Sequence, residues 1–264
     1  MVVRPGTEPF RHDGGSTGVL LCHGFTGSPA SLRPWAEHLA AEGHTVRLPL
    51  LPGHGTDWRE LAITRWPDWY IAVERELFDL RDQCDHVFVA GLSMGGTLSL
   101  RLAEQLPDAV AGAIVVNPSI HTRRTDMKAL PLLRRVVPSV AGITNDIKKP
   151  GQDEIGYRRT PLQPLYSLTE MWRDVSAHLD DITCPLLAFG SDEDHVVEPS
   201  NCIEVVQGVS SHDVMFVPLH DSYHVATLDN DAHQIFDQSN AFIRRVVAHA
   251  DSTGKQPPSS GVKR

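Results

Sequence analysis

The sequence predicts an α/β chain, a mostly parallel, doubly wound sheet with a small inserted cap, and three observations carry that expectation. Four short runs, Gly18-Val19-Leu20-Leu21-Cys22, His86-Val87-Phe88-Val89-Ala90, Ala113-Ile114-Val115-Val116-Asn117 and Pro185-Leu186-Leu187-Ala188-Phe189-Gly190, are apolar on both alternations. Strands buried on both faces of a parallel sheet read this way. Segments of helical spacing separate the runs, and strands alternating with helices build parallel sheets. The rhythm then fails from Pro118 to about Ala177, where five prolines, Pro131, Pro138, Pro150, Pro161 and Pro164, cut the chain and no buried strand is legible. An insertion belongs there.

Taken in order, residues 1–16 are polar and turn-rich, with a short strand near Pro9 to His12. The strand Gly18–Cys22 ends at His23-Gly24-Phe25-Thr26-Gly27, where two glycines straddle Phe25. Such a loop can bring a backbone N–H close to a ligand, as half of an oxyanion hole, or it can be a tight strand-to-helix turn. Ser28 suits an N-cap and Pro29 a first turn. Leu32, Trp35, Ala36, Leu39 and Ala40 carry that helix to Glu42, and Gly43 stops it. A strand follows over His44 to Leu51, then the loop Pro52-Gly53-His54-Gly55-Thr56. His54 could line a site mouth there, although a turn histidine held by backbone is the favoured reading. Trp66 to Arg81 is helical, with Asp68 and Glu74 early and Arg81 late, as the helix dipole prefers.

Gly91-Leu92-Ser93-Met94-Gly95 lies between the strand from His86 and a helix over Thr97 to Leu106. A turn from strand to helix within about two residues forces the middle residue into strained backbone. The crowding is tolerable when the positions two before and two after it lack a side chain, and Gly91 and Gly95 meet that demand. Ser93 is thereby lifted above the sheet at a helix N-terminus, where free N–H groups favour negative charge. That suits a nucleophile whose attack creates an oxyanion, with the N–H of Met94 beside that of Phe25 as its donors. The rival reading is a Gly-Ser-rich N-cap in an ordinary α/β domain.

After Pro107-Asp108 and the strand Ala113–Asn117 comes the insertion. Its apolar stretch Ala129 to Val137, carrying Arg134 and Arg135, suits a lid over an acyl chain. A lid packed on its own domain is favoured over transient contact with a membrane or micelle surface. Beyond the strand Pro185–Gly190, Ser191-Asp192-Glu193-Asp194 offers two aspartates, Asp192 and Asp194, where this architecture supplies the third triad member, in the chain order Ser, acid, His. A helix over Pro199 to Gln207 and a strand over Asp213 to Val217 follow. The last loop then offers two histidines, His220 and His224, for the base. Asp231 to His249 closes the chain as a helix. The expected division is a core of 1–118 and 178–250, a cap of 119–177 and a disordered tail of 251–264.

A net charge of −9 argues against a nucleic-acid surface, which needs clustered Lys and Arg. No apolar run approaches the roughly 20 residues that span a bilayer, and no apolar signal core opens the chain, so a cytoplasmic location is expected. The four cysteines are scattered with no C-x-x-C pair, which favours reduced buried thiols. Fourteen histidines form no H-E-x-x-H array, so no metal site is expected.

With these motifs in view, the chain resembles the bacterial monoacylglycerol lipases of the α/β-hydrolase superfamily and the related small bacterial carboxylesterases. The resemblance rests on His23-Gly24-Phe25-Thr26-Gly27, Gly53-His54-Gly55-Thr56, Gly91 to Thr97, Ser191 to Val197 and Ser222-Tyr223-His224-Val225-Ala226-Thr227-Leu228-Asp229. It implies an α/β-hydrolase fold. The family's acid begins a D-x-(V/M)-(I/V)-x-P run, which selects Asp194 over Asp192, and its base lies in an H-V-x-T-L-D run, which selects His224 over His220. The stretch from about Ser119 to Val140 departs from the family, which leaves substrate size in doubt.

The resemblance implies acyl transfer to water on Ser93, with no cofactor, acting on a small-molecule lipid ester. Through Asn145 to Pro150 and Glu154 to Tyr157 it also implies a substrate-binding carboxylate, Glu154, on the alcohol side of the ester; the alternative is an exposed glutamate with no role. Rival functions are a general carboxylesterase, a non-catalytic receptor on the same fold, and cleavage of carbon–carbon or peptide bonds.

Overall fold

The computed structural model describes residues 2–253. Strands β1 (Phe10–His12) and β2 (Thr17–Cys22) open the chain, followed by helix α1 (Arg33–Ala41) and strand β3 (Thr45–Leu48). Ser28 does start the helical segment, its hydroxyl accepting the N–H of Ala30, but a 3-10 turn over Pro29–Ser31 precedes the α-helix. The single turn α2 (Trp58–Leu61) has no counterpart in the sequence reading, because four residues are too few to show a period. Then come α3 (Trp66–Arg81), with the bounds the sequence predicts, β4 (His86–Leu92), α4 (Met94–Gln105) and β5 (Gly112–Val116).

Beyond β5 the chain leaves the sheet through a 3-10 turn at Thr125–Ala129, the short α5 (Leu130–Leu133), the antiparallel pair β6 (Ser139–Ala141) and β7 (Arg159–Pro161), and α6 (Leu162–Ser176). The prolines do not cut this region as finely as expected. α6 runs for 15 residues because Pro161 precedes it and Pro164 sits in its first turn, where backbone N–H groups have no helical partner to lose. The chain returns to the sheet with β8 (Leu186–Ser191), α7 (Ser200–Gly208), β9 (Val214–Leu219) and α8 (Ala232–Thr253). α8 continues past His249, so residues 251–253 of the expected tail are helical, and 254–264 lie outside the described residues.

The seven strands lie in the order β1-β3-β2-β4-β5-β8-β9, all parallel except the β1–β3 edge pair. Alternate residues feed two cores. Leu20, Val87 and Val89 pack with Trp69 and Leu77 of α3 and Leu98 of α4 on one face. Val19, Leu21 and Phe88 pack with Trp35 of α1 and Ile235 and Phe242 of α8 on the other. Both alternations of β2 and β4 are therefore apolar, as the sequence pattern requires.

All four cysteines are buried and unpaired, and burial pushes the thiols of Cys22, Cys184 and Cys202 up to about 12. No described helix is long and apolar enough to cross a membrane.

Candidate active site

Ser93 joins β4 to α4 with φ +58° and ψ −121°, in the left-handed half of backbone space where a serine is strained. The turn closes so tightly that a Cβ on Gly95 would stand 1.8 Å from the carbonyl oxygen of Cys22, and one on Gly91 would stand 2.2 Å from the carbonyl of Gly95. The strained conformation is pinned from both sides. Ser93 N–H donates to Val116 (3.0 Å), and its own carbonyl accepts from Thr97 (3.1 Å) and Ser119 (3.3 Å).

The loop after β2 lies against this elbow, and a Cβ on Gly24 would sit 3.5 Å from the Cβ of Ser93. Its base is His23, fully buried. His23 Nδ1 donates to the carbonyl of Gly24 (3.0 Å) while Nε2 accepts the N–H of Leu51 (3.2 Å), which fixes one neutral tautomer. Burial pulls its pKa down to about 4. His54 packs edge-on to His23 with ring centroids 5.0 Å apart, and its Nδ1 lies 3.1 Å from the carbonyl of Pro52. It is held by backbone and stays out of the cavity lining. The N–H groups of Phe25 and Met94 have no acceptor among the described residues. Met94 is the first residue of α4, where helical N–H groups lack partners, while its side chain is in the core.

Two acid–histidine pairs form beyond β8. Asp194 Oδ2 lies 2.7 Å from Nδ1 of His224, and Asp194 Oδ1 accepts the N–H groups of Val196 and Val197, both at 2.8 Å. These two side chains are 2% and 8% exposed. Asp192 instead pairs with Nδ1 of His220 at 2.6 Å, with 57% and 73% exposed. Burial alone would lower the pKa of His224. The Asp194 carboxylate, its hydrogen bond and the further charges of Glu154 and Asp146 outweigh that and raise it above the ordinary imidazole value.

Three residues that sequence reasoning did not single out hold the loops in register. Asn117, at φ +44° after β5, donates from Nδ2 to the carbonyl of His224 (2.8 Å) and to Ser191 Oγ (2.9 Å), and accepts the N–H of Ser191 (2.8 Å). Asp229 accepts main-chain N–H groups from Lys148 (2.7 Å), Lys149 (2.8 Å) and Tyr223 (2.9 Å). Asp146 accepts the main-chain N–H of His224 at 3.1 Å. The only sequence signal is a short polar side chain at a strand end or in a turn, which is common everywhere.

Ser93, His224 and Phe25 line one cavity of about 280 Å³. Leu130, Leu162, Leu165, Leu168 and Trp172 supply apolar lining, while Asp146 and Glu154 supply carboxylates. Trp172, on α6, donates its indole N–H to Ser119 Oγ (3.2 Å), just beyond the end of β5. Glu154 Oε1 accepts the N–H of Asn145 (2.8 Å), Asn145 Oδ1 accepts the N–H of Glu154 (3.0 Å), and Oε2 has no partner among the described residues. Burial raises the pKa of Glu154, against the Asn145 N–H and the charge of His224, which lower it.

Comparison with known proteins agrees with this architecture. Residues 16–231 match the family described as serine aminopeptidase, S33. A thermostable monoacylglycerol lipase from Bacillus sp. (strain H-257) is 44% identical over 92% of this chain and 96% of its own. A carboxylesterase from Bacillus subtilis (strain 168) is 27% identical over 93% of this chain and 98% of its own. A solved structure from work on LipS and LipT, two metagenome-derived lipolytic enzymes, superposes with a TM-score of 0.90 at 39% identity, covering 92% of this chain and all of that one. The chain belongs to the serine aminopeptidase S33 family of serine hydrolases, within the α/β-hydrolase superfamily.

Proposed function

We propose that this protein is a carboxylic-ester hydrolase that cleaves monoacylglycerols to fatty acid and glycerol through an acyl-enzyme on Ser93. One observation carries the reading: a strained serine and a histidine paired to a buried carboxylate line the same largely apolar cavity. His224 takes the Ser93 proton as the hydroxyl oxygen attacks the ester carbonyl, and Asp194 holds the imidazole in the required tautomer. The N–H groups of Phe25 and Met94 receive the oxyanion. Collapse expels glycerol with the proton from His224, and water then deacylates Ser93 by the same steps.

The 44% identical relative is a monoacylglycerol lipase, and the apolar walls suit an acyl chain. Glu154 would accept hydrogen bonds from glycerol hydroxyls through Oε2. Residues 119–177 act as the cap, whose tip exposes Leu132 (71%) and Val136 (78%) beside Arg135 and touches a micelle or membrane surface transiently. Four unpaired thiols fit a cytoplasmic setting. The second reading, a broad carboxylesterase on short to medium acyl esters, draws on the 27% identical relative.

The test compares a monoacylglycerol with a p-nitrophenyl ester of the same acyl chain. Ser93→Ala should abolish fluorophosphonate labelling and turnover of both. Glu154→Ala should lower kcat/KM more for the monoacylglycerol, since a site built to pair with hydroxyls discriminates against substrates lacking them. Equal losses on both would leave the broad carboxylesterase as the better description.

A further inference from the structure

The mechanism just described gives Asp146 no part, yet this residue joins three loops at the centre of the site. It lies between β6 and β7, in the segment that also carries Glu154, and it lines the cavity. Its Oδ2 accepts the main-chain N–H of His224 at 3.1 Å and that of His195 at 3.2 Å. Its Oδ1 stands 2.8 Å from His195 Nδ1, and its carbonyl accepts the N–H of Val225 at 3.0 Å. His195 follows Asp194 directly, so one side chain ties the loop of the acid to the loop of the base. Lys148 and Lys149 extend the brace, because Asp229 accepts their N–H groups together with that of Tyr223.

We propose that Asp146 is a positioning residue of the base: it fixes the main chain of His224 relative to Asp194 and adds its negative charge to those of Asp194 and Glu154 near the imidazole. The inference rests on the Ser93–His224–Asp194 reading of the site. The imidazolium formed during attack is then stabilised by the Asp146 carboxylate at its backbone in addition to Asp194 on its ring nitrogen and the charge of Glu154.

The charged surroundings support this. Asp194 faces His224 from the loop after β8, and Asp146 and Glu154 face it from the inserted segment. Asp146 itself meets His195, whose ring packs edge-on to Tyr223 at 4.6 Å. Lys148, whose ammonium lies 5.5 Å from that Tyr223 ring, is drawn off to Asp221 (3.1 Å) and Glu193 (3.6 Å). The field at the imidazole is therefore net negative, and removing one contributor makes the base easier to deprotonate.

The experiment measures kcat, KM and the pH profile of kcat/KM on a short p-nitrophenyl ester for wild type, Asp146→Asn and Asp146→Ala, with active sites counted by fluorophosphonate. Asp146→Asn keeps the shape and one acceptor but loses the charge. It should move the acid limb of the profile to lower pH and lower kcat about tenfold with KM changed less than about twofold. Asp146→Ala, which loses the acceptor as well, should lower kcat further. An Asp146→Asn enzyme whose acid limb coincides with wild type and whose kcat is within about twofold of it overturns the proposal. If the alanine variant does not fold, the near-isosteric asparagine variant decides alone. A wild-type enzyme that is not labelled by fluorophosphonate sinks the underlying reading instead, and that result is read before any Asp146 variant is made.

Discussion

Asp192 with His220 and Asp194 with His224 offer the same chemistry a few residues apart, and burial separates them. An exposed pair is screened and its imidazole wanders, whereas a buried carboxylate holds one tautomer in place. Asp192→Asn and His220→Ala should therefore leave kcat/KM within about twofold, while His224→Ala should cost about three powers of ten or more. Steady-state rates on one ester decide it, and a His220→Ala variant more damaged than His224→Ala would reverse the assignment. The same geometry has a pH consequence. Only the neutral imidazole is a base, and the raised pKa of His224 places the midpoint of the acid limb above the ordinary value of about 6.5. Activity that is flat from about pH 5 to 8 would argue against a histidine base. Sequence position alone offered either acid and either histidine, and the family's motifs chose Asp194 and His224, the pair that is buried. The parts played by Asn117, Asp146 and Asp229 were not legible: apart from the bonds of Asp229 to its near neighbours, they lie in hydrogen bonds to residues 49 to 107 positions away, and a short polar side chain carries no local mark of such a partner.

At the scale of elements, the elbow is the part most completely written in the sequence, since the two glycines follow from sterics. Gly95→Ala should prevent correct packing of α4 on β2, because the new methyl would overlap the Cys22 carbonyl and backbone cannot swing aside as a side chain can. The expected result is a thermal midpoint lowered by several degrees together with loss of fluorophosphonate labelling. Wild-type melting with full labelling would show that the elbow is looser than its geometry implies. The long buried strands and α3 were equally legible, for they are dense in apolar residues or strongly periodic. The inserted segment was not. β6 and β7 are three residues each, too short for alternation to register, and α6 was hidden by prolines that its first turn accommodates.

For the molecule as a whole, the buried neutral histidines beneath the loop after β2 link stability to acid. His23 has a folded pKa of about 4 against about 6.5 when unfolded, and His54 is also lowered, so the unfolded chain binds more protons below pH 6.5. Their stabilisation is complete above about pH 6.5 and is lost as pH falls toward 4. His224 acts in the opposite sense, its raised pKa favouring the folded state at low pH, and so do the raised carboxyls of Glu154 and Glu104. Comparison with a variant isolates the term. His23→Asn, which keeps an amide near the Gly24 carbonyl, should reduce the drop in unfolding free energy between pH 7 and 5 by about 2 kcal/mol relative to wild type. Urea titrations at the two pH values measure it, and identical drops in both proteins would exclude His23 as the source.

The four cysteines are buried and their thiols are raised, so the folded chain should react only slowly with maleimides. A cysteine introduced at Val136, 78% exposed between α5 and β6, would then react far ahead of the native thiols. A single fluorophore could be attached there without first removing any native residue, and a change in its emission on adding ester would report a change around that position.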